Sequence, residues 1–299
     1  MSEEKMVVDS MDIAEYSTGT VRTSDGLSLF YRHWNPRAGA AANVFLVHGL
    51  GEHSGRYVHV GSFFAEAGFR TVAFDLRGHG RSDGKPVFVR HYKELASDVA
   101  CVVNHFSGNP AFLFGHSLGG QLVLWTVQHF QLKLQGLISS APWLALAHTP
   151  PRWQVTLARM LNRRIPGFRF PTGINSAKLS HDQAHLDSLV DLDLTHSFIT
   201  VRMYLEVVNA AEQILSTPVI NIPVLITSGD QDEVTSRETA ENFSLRLQAP
   251  SKAFRIYQGF LHELHNETDR TRVLADYVEW MRSITQTESL GREADPIQN

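Results

Sequence analysis

Three residues carry the chemistry this sequence offers: Ser117, Asp232 and His262. A serine hydroxyl is a weak nucleophile near neutral pH. It attacks a carbonyl only when a base takes its proton and a third group orients that base. Ser117 stands in Gly115-His116-Ser117-Leu118-Gly119, a G-x-S-x-G pattern. The pattern is short, and it means something only where a strand precedes it and a helix follows. Pro110-Ala111-Phe112-Leu113-Phe114 is an apolar run before it, and Gln121 to Val127 is apolar enough for a buried helix after it. The glycines at 115 and 119 have no Cβ, so strand and helix can close around the serine.

The partners must follow in the order serine, acid, histidine, each just past a later strand. Asp232 follows the run Val224 to Gly229, and His262 follows Ala253 to Tyr257. Two alternatives stay open: Asp230 is as close to its strand as Asp232, and His265 could stand in for His262. His262-Glu263-Leu264-His265 resembles a zinc motif, but H-E-x-x-H needs one more residue between its histidines. No metal or organic cofactor is called for.

An oxyanion needs backbone donors. One is the N–H of Leu118, directly after the nucleophile; the other should lie in a loop after an earlier strand. His48-Gly49-Leu50-Gly51 is in that place, with Leu50 as the donor. A dinucleotide loop would need glycine at position 54, where Ser54 stands.

These residues need a scaffold that delivers loops to one edge of a sheet. Residues 1 to about 15 read as a polar lead-in. Gly19 to Thr23 and Leu27 to Trp34 alternate around Ser24-Asp25-Gly26, which predicts a hairpin. Short apolar strands are expected at 43–47, 70–75, 110–114, 137–141, 223–229 and 253–257. Helices are expected near 60–67, 89–106, 236–247 and 269–284, with a frayed polar end from Gln286 to Asn299. Alternating strands and helices imply an α/β fold with a mainly parallel sheet covered on both faces. The rhythm breaks from Trp143 to about Ser216, where no strand is evident. The division expected is a core of 1–141 and 217–299 with an inserted helical cap at 142–216. The other reading makes that stretch part of the main core.

The chain has 299 residues, 43% hydrophobic and 19% charged, long enough to bury a substantial core. The formal net charge of −4, from 27 basic and 31 acidic residues, gives no reason to expect a nucleic-acid partner. Cys101 is the single cysteine, so no internal disulfide can form. The start of the chain lacks the pattern of a signal peptide, and no stretch approaches a membrane span. The expectation is a cytoplasmic protein.

Together these stretches resemble the α/β-hydrolase superfamily, and within it the monoacylglycerol lipase and lysophospholipase-like serine hydrolases. The resemblance rests on His48-Gly49-x-Gly51-Glu52-His53-Ser54-Gly55-Arg56-Tyr57, on Asp75-x-Arg77-Gly78-His79-Gly80, on the Ser117 motif, on Gly229-x-x-Asp232 and on His262-x-x-His265-x-Glu267. It runs from about Thr23 to about Arg282 and is loosest in the cap. It implies Ser117 as nucleophile, Asp232 as acid, His262 as base, and Leu50 and Leu118 as oxyanion donors. It implies monoacylglycerols as substrates, with a general carboxylesterase or lysophospholipase as the alternative. By the same resemblance, Glu52, Arg56 and His265 match polar positions near the alcohol side; a structural ion pair and loop hydrogen bonds are the competing role. Arg77 and Asp75 are expected to brace a loop. Trp143, Trp153, Leu157 and Leu161 suit an acyl chain, or else form the core of the cap. Arg152, Arg159, Arg163, Arg164 and Arg169 face either water or an anionic lipid surface. Relatives with a carboxylate nucleophile are excluded by Ser117. A binding module without chemistry would have no reason to keep all three residues.

Overall fold

The computed structural model describes residues 15–293 except Ser107 and Val190, with no description of the side chains of Arg152 and residues 287–293. The expected polar lead-in, apart from Glu15, lies outside the described residues, as does the end of the chain from 294. None of the described helices is long and apolar enough to cross a membrane.

The first strands, β1 (Ser17–Arg22) and β2 (Ser28–Trp34), form the expected antiparallel hairpin. Then come β3 (Asn43–Val47), α1 (Val58–Glu66), β4 (Arg70–Phe74), α2 (Tyr92–His105), β5 (Ala111–His116), α3 (Leu118–His129) and β6 (Gly136–Ser140). An insert follows: α4 (Arg152–Arg164), β7 (Arg169–Pro171), α5 (Gln183–Ser188) and β8 (Phe198–Thr200). The chain ends with α6 (Val201–Ser216), β9 (Val224–Gly229), α7 (Arg237–Arg246), β10 (Lys252–Tyr257) and α8 (Arg270–Glu293).

Eight strands form one sheet in the order β1-β2-β4-β3-β5-β6-β9-β10. The pairs from β4 through β3, β5, β6 and β9 to β10 are all parallel, and β2 joins β4 antiparallel. A parallel strand between two helical layers is apolar on both sides. The strand β3 shows it: Val44 and Leu46 pack with α1 and α8, while Phe45 and Val47 pack into the cluster holding α2, α3 and α6. All five residues of β3 are buried.

The region 142–216 divides in two. Its last helix, α6, contributes Met203, Val207 and Ile214 to the same apolar cluster as the sheet face and contacts α2 and α3. Residues 142–200 stand outside the sheet. They contain a two-stranded ladder, β7 with β8, where the sequence shows no strand. Each strand is three residues long and carries no readable alternation, so pairing across the chain makes them strands. The helix α8 continues to Glu293, past the end expected at Ile284, because no proline stops it before Pro296.

Candidate active site

The strand β5 delivers Ser117 to the carboxyl edge of the sheet. Between β5 and α3 the chain turns sharply, with Ser117 at φ 55° and ψ −113°. That region is costly for a residue with a Cβ, of order 1–3 kcal/mol, and persists only where its surroundings enforce it. They do: the Ser117 N–H donates to the Ser140 carbonyl at 2.9 Å, and the Ser117 carbonyl accepts from Gln121 and Trp143 N–H groups, both at 3.0 Å. A Cβ on Gly115 would collide with the Gly119 carbonyl, and one on Gly119 with the Val47 carbonyl. The G-x-S-x-G spacing is therefore a packing requirement. The N–H groups of the first turn of α3, Leu118 among them, have no acceptor within the helix.

Asp232 lies in the loop after β9 and His262 in the loop after β10. His262 Nδ1 and Asp232 Oδ2 are 2.8 Å apart. Asp232 also accepts from the N–H groups of Val234 (2.7 Å) and Thr235 (3.0 Å) and from the Thr235 hydroxyl (2.8 Å). Burial would raise its pKa, but His262 and these donors outweigh burial and hold the carboxyl down to about 2. Burial would lower the pKa of His262; the charge and hydrogen bond of Asp232 outweigh that and raise it, with Glu263 and Glu52 adding to the rise. Asp230 is used elsewhere, accepting the Gly259 N–H at 2.6 Å.

The loop after β3 passes directly against the serine, with a Cβ on Gly49 falling 3.3 Å from the Ser117 Cβ. Glu52 Oε1 holds this loop, accepting from the Gly49 N–H (2.5 Å) and the Tyr57 hydroxyl (2.9 Å). Arg56 Nη2 donates to both oxygens of Glu263, at 2.9 and 2.7 Å, and Asn266 Nδ2 donates to Glu263 Oε2 at 2.6 Å. Glu52, Arg56 and Glu263 are 7%, 7% and 4% exposed. Burial pushes the carboxyl of Glu52 up, and the nearby charge of Glu263 adds to the rise against the pull of Arg56.

A cavity of about 660 Å³ opens above Ser117 and His262. Its wall includes Leu50, Glu52, Arg56, Trp143, Trp153 and Leu157, all singled out from the sequence. His265 is not on that wall. It is fully buried one layer down, stacked on Tyr57 at 4.8 Å and edge-on to His116 at 4.8 Å. Asp75 and Arg77 are not on the wall either. Asp75 accepts from the Ser54 and Arg81 N–H groups, and Arg77 grips both oxygens of Asp98. Among the charged wall residues, sequence reasoning missed Glu263; the one available signal was a carboxylate beside the candidate base. Thr235 and His116 were also missed. The His116 ring packs at 4.7 Å from that of His262, and burial keeps its pKa well below the ordinary histidine value.

The insert is tied to both loops of the site. The His196 N–H donates to the Gly51 carbonyl at 2.8 Å, and the Glu263 N–H donates to the Leu179 carbonyl at 2.7 Å. Gly51 has φ +74°, and a side chain there would strike the His196 carbonyl.

Comparison with known proteins bears on the same residues. The chain is 29% identical over 274 residues to an uncharacterized abhydrolase domain-containing protein of Dictyostelium discoideum, covering 89% of this chain and 29% of that protein. It spans under a third of that relative's length. It is 28% identical over 251 residues to the monoglyceride lipase of Homo sapiens, covering 82% of each chain. A crystal structure of a Paleococcus ferrophilus monoacylglycerol lipase superposes with a TM-score of 0.76 at 29% identity, covering 90% of this chain and 99% of that one. The family model described as "Serine aminopeptidase, S33" matches residues 38–269, a span that includes Ser117, Asp232 and His262. The chain belongs to that family of α/β-fold serine hydrolases.

Proposed function

We propose that the protein hydrolyses monoacylglycerols to fatty acid and glycerol through an acyl-enzyme on Ser117. The cavity carries this reading. Most of its wall is apolar, and its charged side chains gather beside Ser117 and His262. A monoacylglycerol has the same division: one long apolar chain, one ester, one small polyol.

In this scheme His262 accepts the Ser117 proton as the hydroxyl oxygen attacks the ester carbonyl. The oxyanion is held by the N–H groups of Leu118 and Leu50. His262 then gives its proton to the glycerol oxygen, the C–O bond breaks, and the acyl group stays on Ser117. Water loses a proton to His262, adds to the acyl carbon, and releases the fatty acid with Ser117 restored. Asp232 fixes the imidazole and stabilises its charged form. On the alcohol side, Glu52 Oε2 and Arg56 Nε lie 3.1 Å apart without the alignment of a hydrogen bond. Both residues line the cavity, so the glycerol end of the substrate would lie against this pair.

The residues 142–200 serve as a cap over the acyl chain, with Trp143, Trp153, Leu157 and Leu161 along it. Arg159, Arg163 and Arg164 stand exposed on α4 beside exposed Trp153 and Met160, a composition suited to transient contact with an anionic lipid surface. The side chain of Arg152 lies outside the described residues. The single cysteine, Cys101, is compatible with the cytoplasm.

Initial rates on monoacylglycerols of increasing chain length test this, measured beside a diacylglycerol, a triacylglycerol and a short p-nitrophenyl ester. A preference for medium or long monoacylglycerols is expected. Turnover of the short ester alone would assign a general carboxylesterase instead.

A further inference from the structure

Among the described residues, Arg56 is the one guanidinium on the cavity wall, and no lysine lies there. Two carboxylates, Glu52 and Glu263, share the wall with it. Glu263 takes Arg56 Nη2 with both oxygens and is itself locked by Asn266. Glu52 lies against Nε. All three are more than nine-tenths buried, so water screens them little. With both acids ionised, this end of the cavity is net negative. With Glu52 protonated, as its upward pKa shift favours, Glu263 alone still balances Arg56. In neither state do the described side chains at this end leave a cation over for an incoming anion.

We infer that Glu263 is a specificity-determining residue: by occupying Arg56 it admits uncharged alcohol groups and turns away phosphate-bearing ones. The inference rests on ester hydrolysis at Ser117 and decides between the neutral glyceride and the lysophospholipid within that reading. A phosphate beside the leaving oxygen would face one or two buried carboxylates and find a guanidinium already paired. Like charges brought together in a recognition site repel, and an arginine already bridged by a carboxylate offers little in return. A glycerol hydroxyl meets neither obstacle.

The test uses three esters with the same oleoyl chain in one detergent: monooleoylglycerol, the zwitterionic lysophosphatidylcholine and the anionic lysophosphatidylglycerol. The quantity read is the ratio of kcat/KM values within each enzyme. Any effect of the variant on His262 acts on all three substrates and cancels. The wild type is expected to favour the neutral ester over the anionic one by about 10- to 100-fold, the size of a like-charge penalty. Glu263→Gln is expected to reduce that ratio about tenfold, with the zwitterion between the two. An unchanged ratio in a folded Glu263→Gln enzyme that still labels with a fluorophosphonate would overturn the inference. Should that variant not fold, the wild type decides alone: equal rates on neutral and anionic esters overturn it. A wild type that cleaves none of the three but does cleave a short ester overturns the monoacylglycerol reading and this inference with it.

Discussion

The floor and the roof of the cavity are built on opposite terms. On the floor, the side chains of Glu52, Arg56, Asp232, His262 and Glu263 are buried, and each is held by hydrogen bonds or ion pairs. In the roof, α4 carries Trp153 at 64%, Met160 at 64% and Leu157 at 46% exposure, and Ala158 is its one buried side chain among those described. Arg159, Arg163 and Arg164 form no ion pair among the described residues. A floor that must aim a proton within tenths of an ångström needs many fixed contacts. A wall that need only be apolar toward a chain of methylenes needs few. Under the function proposed above, reaction geometry and chain recognition fall to separate parts of one cavity.

If the division is real, replacements on the two sides should fail in different ways. Ser117→Ala is expected to lower turnover by about 10⁴–10⁶-fold with the fold intact, read by steady-state rates and circular dichroism. Retention of most activity would end the scheme. Arg56→Met strands two buried carboxylates and should cost about 3–5 kcal/mol of stability, measured by urea denaturation. A loss within experimental error would mean that the floor is not braced as described. On the roof, Trp153→Ala combined with Leu157→Ala should raise KM for a long monoacylglycerol by roughly 10-fold while sparing a short ester, since removing a little apolar contact costs about 1–3 kcal/mol. Equal losses on both esters would erase the distinction. The pH profile probes the floor again. Because the pKa of His262 is raised and its neutral form is the base, activity should rise with pH through a midpoint above the ordinary histidine value of about 6.5. A midpoint below that value contradicts the role given to Asp232. Met160→Ser should change stability by less than ~0.5 kcal/mol, because the side chain stands in water.

The same division explains what could be read from the sequence. The floor was legible because its elements announce themselves. Apolar runs at 43–47, 110–114 and 223–229 read as buried strands, glycines flank Ser117, and the candidate acid and base come just after later strands. Asp232 was preferred to Asp230 through the resemblance at Gly229-x-x-Asp232, since spacing alone does not separate two aspartates near one strand end; in the structure Asp230 accepts the Gly259 N–H instead. Glu263 was hidden for a related reason: its partner Arg56 lies 207 positions away, and no local pattern records that pairing. His265 matched a motif position, yet it is stacked on Tyr57 beneath the wall. The roof was nearly opaque. The strands β7 and β8 exist through their mutual pairing, and α6 reads like its neighbours in the insert although it packs with the sheet layer. A pattern of apolar residues says that a face is covered without saying by what.

Main-chain ties between the insert and the core, among them His196 to Gly51, Glu263 to Leu179, Trp143 to Ser117, Ala147 to Val234 and Ser236 to Ala145, restrict how this roof can be exchanged. Each tie joins main-chain atoms, so it is indifferent to side-chain identity and demands only position. A segment transplanted from a relative could differ at many residues between 142 and 200 and still dock, provided it meets these main-chain partners and supplies substitutes for the side-chain contacts that Ser180, His181 and Asp182 make with Asn266, Glu267 and Arg270. A transplant that misses the Gly51 or the Glu263 point would leave a loop of the site with one anchor fewer. Substrate range in such chimaeras would then be inherited from the donor, and catalytic competence from the fit at a few peptide groups.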